Sequence, residues 1–266
     1  MKRKIKARAK QKKVFLILMG GGGHARVLKD ILQNEPGVQL LGYTDLKPNS
    51  LIGFRYLGDD GVLGNFVKKD VRLVNAVGSV RLPEVRRKIF EKGKALGFQF
   101  HSVIHPRATI ASDVFSGEGA QVMASAVINP GAHIAENALI NTGAMVDHDC
   151  QIGAHTHVAP GVTMSGNVFI GFGCHIGAGA TIIHGISIGS ETLIGAGSVV
   201  IKDIPGGVTA YGVPAVVVAE KNSSRGSSSV TRRRLSASKV GETSPKSKGF
   251  GGLITGHKVT FLQGKP

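Results

Sequence analysis

Residues 134–176 read IAENALINTGAMVDHDCQIGAHTHVAPGVTMSGNVFIGFGCHI, and an aliphatic or methionine side chain returns at every sixth position. The same step runs from Ile104 to Val200, and Ser116 is the one interruption among 17 positions. Neither the 3.6-residue period of a helix nor the alternation of an ordinary strand produces a repeat of six. The pattern predicts short straight segments joined by tight corners, each with one side chain pointing inward.

This repeat predicts a mainly β fold, a parallel β-helix. Three segments of six residues make one triangular coil of 18, and stacked coils bury the inward side chains in one core. The residue two positions before each inward residue is alanine, serine, cysteine, threonine or valine, and the larger Ile186 is the exception. Cys150 and Cys174 occupy such positions, which indicates a structural role for both thiols. Five glycines follow inward residues and are expected to supply backbone freedom at the corners: Gly153, Gly171, Gly177, Gly189 and Gly195.

A glycine turn near the N-terminus predicts a separate α/β domain. The apolar run Val14–Met19 has the composition of a strand, residues 20–23 are four glycines, and residues 24–33 have helical spacing. A strand, a glycine turn and a helix in this order present backbone N–H groups to a phosphate. Tight packing of the strand on the helix would also explain the glycines.

The rest of residues 14–100 predicts a small Rossmann-like domain, about half the size of a complete dinucleotide-binding domain. Residues 38–43 and 71–77 have strand composition, and residues 83–96 have helical spacing. Asp45 follows the second strand, where a carboxylate accepts hydrogen bonds from a ribose or a base. The stretch from residue 14 to residue 100 is too short for a whole dinucleotide-binding domain, so a nucleotide-linked sugar is a better candidate ligand than a dinucleotide.

The basic charge lies at the two ends of the chain. The formal net charge is +16, but residues 1–13 hold eight Lys/Arg and no acid, and residues 221–266 hold ten Lys/Arg and one acid. The body between them, residues 14–220, has a net charge of −1. This distribution is more typical of solvated tails than of a folded nucleic-acid surface, so nucleic acid is not expected as a partner.

Four segments follow: a basic extension (1–13), a Rossmann-like domain (14–100), a β-helix domain (101–219) and a Ser/Gly-rich basic tail expected to be disordered (220–266). No run approaches the roughly 18 apolar residues of a membrane span. The short apolar run before the glycines fits a strand better than a signal peptide. Two cysteines cannot form a disulfide framework, and a cytoplasmic location is expected.

The chemistry-bearing residues cluster in the repeat. Six histidines lie between residues 133 and 184: His133, His148, His155, His157, His175 and His184. His148 stands two positions after the inward Val146, so it is expected at a corner, facing outward, between Asp147 and Asp149. A carboxylate beside an imidazole fixes its tautomer and stabilises its protonated form, which suits a general base. From the pattern alone, an outward histidine beside an aspartate is equally compatible with a solvated pair.

Several motifs together resemble the NeuD/PglD-type sugar acyltransferases. They are the turn GGGGHA (20–25), Ile104-His105-Pro106, Val122-Met123-Ala124, the run INTGAMVDHDCQIG (140–153), His157, and the closing KDIP (202–205) and GVPA (212–215). The resemblance covers residues 14–216, and VDHDC is its most specific part.

The resemblance implies a left-handed β-helix, a homotrimer, acetyl-CoA as co-substrate without a metal, and transfer of acetyl to a nucleotide-linked 4-amino sugar. O-acetylation of sialic acid or a related sugar is the alternative within the family. Two departures stand out. Val216 replaces a usual lysine after GVPA, which puts a phosphate or adenine contact in doubt, and the tail beyond residue 220 has no counterpart.

The resemblance also implies roles for individual residues. His148 would be the general base and Asp149 its orienting carboxylate. His157 would lie near the thioester, Gly166 would offer it a backbone N–H, and Gly212 and Pro214 would border the CoA arm. The nucleotide-sugar would be held by the glycine turn and the following strand, through Gly21, Gly22, Gly23, His24 and Asp45.

Two hypotheses from other functional classes compete with that of a sugar acyltransferase. β-Helix carbonic anhydrases bind a metal through three histidines, and neutral imidazoles suit zinc, but those enzymes lack the preceding glycine-rich α/β domain. A non-catalytic scaffold that binds a nucleotide-sugar is the second alternative, and the intact pair of His148 and Asp149 argues against it.

Overall fold

A computed structural model describes residues 13–48 and 54–220. The predicted extension (1–13) and tail (220–266) lie almost wholly outside these described residues. Within the described part, no helix is both long and apolar enough to cross a membrane.

The first part of the chain forms a five-stranded parallel sheet with two helices. The strand order is β3-β2-β1-β4-β5. The elements are β1 (Val14–Met19), α1 (Gly23–Leu32), β2 (Val38–Thr44), β3 (Tyr56–Gly58), a 3₁₀ helix (Asp60–Asn65), β4 (Val71–Asn75), α2 (Glu84–Ala95) and β5 (Gln99–Phe100). β1 is central because it pairs with β2 on one side and β4 on the other, and its last four residues are completely buried, as expected for a strand covered on both faces. The predicted strands and helices are therefore present, with ends shifted by a few residues.

The second part of the chain is a parallel β-helix of two-residue strands that repeat every sixth residue. They are β6 (Val103–Ile104), β7 (Thr109–Ile110), β8 (Phe115–Ser116), β9 (Gln121–Val122), β10 (Val127–Ile128), β11 (His133–Ile134), β12 (Leu139–Ile140), β13 (Met145–Val146), β14 (Gln151–Ile152), β15 (His157–Val158), β16 (Thr163–Met164), β17 (Phe169–Ile170), β18 (His175–Ile176), β19 (Thr181–Ile182), β20 (Ser187–Ile188), β21 (Leu193–Ile194) and β22 (Val199–Val200). A hairpin of β23 (Val208–Gly212) and β24 (Ala215–Glu220) follows the last coil.

Three sheets form the sides of the β-helix. They contain eight, six and five strands, and the hairpin belongs to the eight-stranded sheet. From β6 to β22 each paired residue aligns with the residue 18 positions away in the next coil, as Ile128 does with Val146. This register confirms the predicted triangular coil.

The inward positions form the core. From Val122 to Val200 every sixth side chain is at most 1% exposed. Each such side chain contributes about 1.5–3 kcal/mol of gross burial energy. In the first coil Ile104 is 48% exposed and Ser116 is exposed, because no earlier coil covers that open end.

The corners use left-handed backbone at every sixth residue from Gly119 to Gly197. Glycine fills most of these positions, and six are not glycine: Ser125, Asn137, Asp149, His155, Asn167 and Glu191. The predicted role of glycines such as Gly153 and Gly177 is wrong, since neither has positive φ. A Cβ at Gly153 would lie 2.5 Å from the backbone of Gly171 in the next coil. These glycines permit close stacking of coils instead.

A buried polar network joins the α/β sheet to the eight-stranded sheet. Arg86 of α2 is completely buried and donates to the carbonyls of Asn75 (3.2 Å), Val77 (3.0 Å) and Asn137 (3.3 Å). The Asn75 side chain donates to the Asn137 amide oxygen (3.0 Å), and Gln121 donates to the Asn75 carbonyl (2.8 Å). Burial lowers the pKa of Arg86 to about 9. The network fixes the end of β4 on the β-helix.

Candidate active site

A histidine–carboxylate pair occupies one corner of the β-helix. His148 lies between β13 and β14, and its side chain is 52% exposed. Its Nδ1 is 2.8 Å from Oδ2 of Asp149. Asp149 has φ of 59°, a left-handed conformation that aspartate tolerates better than most residues, and this corner sets its carboxylate beside the ring. Because Nδ1 donates to the carboxylate, Nε2 is left as the acceptor.

Two carboxylates surround this imidazole. Asp147 accepts from the backbone N–H of His148 (2.8 Å) and from the side chain of Asn129 (2.7 Å), and these bonds hold the pKa of Asp147 below its usual range. The hydrogen bond to Asp149 raises the pKa of His148, and the charges of both aspartates add to it. The pair is therefore arranged to accept a proton on Nε2 and to stabilise the resulting cation.

Glycines of the neighbouring coils make room for the pair. A Cβ at Gly166, one coil later, would collide with the imidazole of His148. A Cβ at Gly131, one coil earlier, would collide with the carboxylate of Asp149. The ring of His184 lies 6.1 Å from that of His148. The structure thus places Gly166 against the ring of the candidate base.

A cavity of about 540 Å³ opens at the glycine turn between β1 and α1. It is lined by all four glycines of residues 20–23, by His24 and Asp45, and by residues 76–78 after β4. Asp45 accepts backbone N–H groups through both carboxylate oxygens, from Gly21 (2.8 Å) and from Leu46 (2.7 Å). Its contacts within the chain therefore hold the glycine turn against the end of β2.

His24 lies at the junction of this cavity with the β-helix. Gln121 donates through its amide nitrogen to Asn75, so its oxygen accepts from Nε2–H of His24 at 2.8 Å. Burial, with the charge of Arg86, lowers the pKa of His24 to about 4. The ring is neutral at physiological pH and offers the cavity no positive charge.

A second cavity, the groove, has a volume of about 440 Å³ and runs along the eight-stranded sheet. Its lining includes Ser79, Asn141, His157, His175 and Gly195. The sequence prediction included His157 and missed Ser79, Asn141 and His175. All three lie in motifs or at strand ends that the sequence analysis names. Their spacing in the sequence is the same as that of other outward-facing residues, so it does not mark them as lining a cavity.

The hydrogen bonds of His157 fix its tautomer. The side-chain oxygen of Asn141 accepts from the backbone of Thr142 (2.8 Å), so its nitrogen faces Nε2 of His157 at 3.1 Å and donates to it. Nδ1 of His157 therefore carries the proton and donates to Oγ of Ser79 at 2.7 Å. Burial, with the neighbouring ring of His175 at 4.9 Å, lowers the pKa of His157 to about 2.

The closing hairpin lies at one end of the groove. Tyr211 packs so closely on Gly195 that a Cβ at Gly195 would lie 2.6 Å from it, and Gly212 donates to the hydroxyl of Ser198 (3.2 Å). Pro214 lies at the hairpin turn, and the side chain of Val216 is exposed.

The predicted site residues fall into three places. One group lines the glycine-turn cavity: Gly21, Gly22, Gly23, His24 and Asp45. His157 lines the groove, with Gly212 and Pro214 in the adjoining hairpin. His148, Asp149 and Gly166 share the corner, and among the described residues none of these three lines either cavity.

A stack of hexapeptide coils behind an α/β domain with a glycine turn defines a hexapeptide-repeat acyltransferase. Residues 15–93 match the PglD N-terminal domain, and residues 131–166 and 167–202 each match the bacterial transferase hexapeptide (six repeats). The chain belongs to the NeuD/PglD family of sugar acyltransferases.

Solved structures similar to this chain are acetyltransferases. The acetyltransferase domain of PglB from Neisseria gonorrhoeae FA1090 is 35% identical, with a TM-score of 0.72, and the match covers 77% of this chain and 99% of that one. The same domain with acetyl coenzyme A has a TM-score of 0.73 at 34% identity, covering 77% and 100%. PerB from Caulobacter crescentus, with CoA and GDP-perosamine, is 38% identical, has a TM-score of 0.72 and is covered to 97%, against 77% of this chain. No curated protein matches the chain.

Proposed function

We propose that the protein transfers the acetyl group of acetyl-CoA to the amino group of a nucleotide-linked 4-amino sugar. The observation that carries this proposal is the combination of a glycine-turn cavity, a separate groove and a histidine–carboxylate corner on one chain. The similar PerB structure contains CoA and GDP-perosamine, and a related one is described as perosamine N-acetyltransferase. These relatives support N-acetylation over the alternative of O-acetylation of sialic acid.

The glycine-turn cavity suits the nucleotide. The backbone N–H groups at the start of α1 point toward a phosphate in this arrangement, and Gly22 and Gly23 leave open space where a side chain would stand. Asp45 holds the turn in place through Gly21. The groove on the eight-stranded sheet suits the extended arm of acetyl-CoA, with His157 and Asn141 along its wall.

His148 acts as the general base. Nε2 takes a proton from the sugar amine as the amine nitrogen attacks the thioester carbonyl carbon. The carbon–sulfur bond then breaks, and the CoA thiolate leaves and takes the proton from the His148 imidazolium, which restores the base. Asp149 keeps the acceptor nitrogen in the right tautomer and stabilises the imidazolium. A backbone N–H beside the ring, such as that of Gly166, is suitably placed to stabilise the oxyanion.

The site is completed by a second copy of the chain. His148 is half exposed at a corner and lines neither cavity among the described residues. A neighbouring subunit that sets its groove against this corner would bring thioester, amine and base together. We therefore propose a homotrimer, the arrangement implied by the family.

The test is acetyl-CoA consumption with a panel of GDP- and UDP-linked 4-amino sugars and sialic acids. Turnover with an amino sugar and none with sialic acid is expected. His148→Ala should lower kcat by about 10²–10⁴-fold, as loss of a general base does. Light scattering should report three chains per particle. An active monomer, or turnover restricted to sialic acid, would contradict the proposal.

A further inference from the structure

One loop forms a wall of both cavities. Residues 76–78, directly after β4, line the glycine-turn cavity, and Ser79 and Val80 line the groove. The loop then leads into α2, which begins at Glu84. A displacement of this loop therefore changes the shape of both cavities at once.

Two polar contacts hold this loop on the β-helix from opposite sides. On the buried side, Arg86 donates to the carbonyl of Val77 at 3.0 Å. On the groove side, Ser79 bonds His157 at 2.7 Å, and His157 in turn accepts from Asn141. The first contact comes from the completely buried side chain of Arg86, whereas the second lies in the wall that a ligand in the groove would touch.

Ser79 provides the acceptor for one of the two hydrogen bonds that hold the His157 ring. Asn141, whose oxygen accepts from the backbone of Thr142, donates to Nε2 of His157, so the Nδ1–H group of His157 is directed to the hydroxyl of Ser79. Without the hydroxyl, the Nδ1–H group is left without that acceptor, and the tautomer with a proton on Nε2 would oppose the N–H of Asn141. Loss of one oxygen atom on the loop thus disturbs two side chains that line the groove.

We propose that Ser79 is a positioning residue for acetyl transfer, which acts through His157 and Asn141 to hold the groove in register with the glycine-turn cavity. This inference rests on the proposed function for its kinetic consequence but not for its structural one. The substrate that depends on it is the thioester end of acetyl-CoA, since that end must meet an acceptor held by the same loop.

A double-mutant cycle tests the inference. Ser79→Ala is expected to lower kcat by about 10- to 100-fold, the size of effect that a misplacement near 1 Å produces, with the KM of the nucleotide-sugar changed less than about twofold. His157→Ala should show a similar loss, and the double variant should be no worse than the poorer single variant, because both remove the same contact. Losses that multiply would overturn the inference, as would wild-type kcat in Ser79→Ala.

Two controls separate positioning from folding. Ser79→Thr keeps the hydroxyl and should retain most of the wild-type kcat. Ser116→Ala makes the same chemical change at an exposed site in the first coil and should leave kcat unchanged. If Ser79→Ala fails to fold, Ser79→Cys, with a thiol that bonds weakly, replaces it in the same cycle. Equal kcat for Ser79→Cys and the wild type would then reject the proposal.

A spectroscopic readout distinguishes failure of this inference from failure of the proposed function. In ¹⁵N-histidine-labelled protein without substrates, the signals of His157 are those lost in His157→Ala. They should report a proton on Nδ1 and no titration between pH 5 and 8, and the Nδ1 signal should shift in Ser79→Ala because this N–H group loses its acceptor. An unchanged Nδ1 signal rejects the role of Ser79 even if acetyl transfer is observed. A shifted Nδ1 signal in a protein that acetylates no amino sugar rejects the proposed function alone.

Discussion

Substitutions of Asp149 should separate the demands of the backbone from those of the chemistry. Its φ of 59° lies in the left-handed region, where an alanine costs roughly 1–2 kcal/mol and glycine or asparagine costs little. Thermal unfolding should therefore rank Asp149→Gly and Asp149→Asn close to the wild type and Asp149→Ala below them. At about 4–8 °C per kcal/mol for a small domain, and less for a chain of this size, a shift of a few degrees is expected for alanine.

Activity should follow a different order. Asp149→Gly and Asp149→Ala lose the 2.8 Å bond to His148, and Asp149→Asn loses the negative charge that strengthens it. All three should therefore lose about 10- to 100-fold in kcat/KM, less than in a fully buried triad because both side chains are more than half exposed in the protomer. Asp149 raises the pKa of His148, and the base works when unprotonated. The acid limb of the pH–rate profile should therefore move to lower pH in Asp149→Asn. Wild-type activity in Asp149→Gly, or an acid limb that does not move, would refute the assignment.

Three further predictions follow from contacts already described. Gly166→Ala should lower kcat at least tenfold with little change in secondary structure by circular dichroism, because the new Cβ occupies the space of His148. Burial lowers the pKa of His24 and His157, so the unfolded state binds more protons below about pH 6.5, and denaturant titrations should show stability that is complete above that pH and falls as the pH drops toward 4. Arg86→Ala removes this donor from the carbonyls of Val77 and Asn137 and leaves the Asn75 carbonyl with Gln121 alone. It should cost about 2–5 kcal/mol in the same titrations, and an unchanged midpoint would rule out the described network.

The β-helix was predictable because its signal is repeated and local. Each coil must bury a side chain at the same step, so the pattern from Val122 to Val200 fixes the register of the strands from β9 to β22. Sequence spacing predicts that Gly153 and Gly177 supply backbone freedom, whereas in the structure they make room for the neighbouring coil. Sequence spacing shows where a side chain is excluded but not whether left-handed backbone or a neighbouring coil excludes it.

The candidate site was predictable only in part. The position of His148 at a corner followed from the six-residue step, and its partner Asp149 was adjacent in sequence. Contacts between Ser79 and His157 join residues 78 positions apart in two different domains. No period or motif connects such residues, because their meeting depends on how the α/β sheet packs against the β-helix.

The offset of 18 residues between paired strands determines on which side of the β-helix each later residue lies. Removing one segment of six residues would rotate everything downstream by a third of a turn, so the face that carries His157 and His175 would exchange places with another face. Removing a whole coil of 18 residues would shorten the β-helix but leave each later residue on the same face as before. Evolution and design can therefore lengthen or shorten this enzyme safely only in whole turns, and single-segment changes are tolerated only beyond the last residue that a ligand touches.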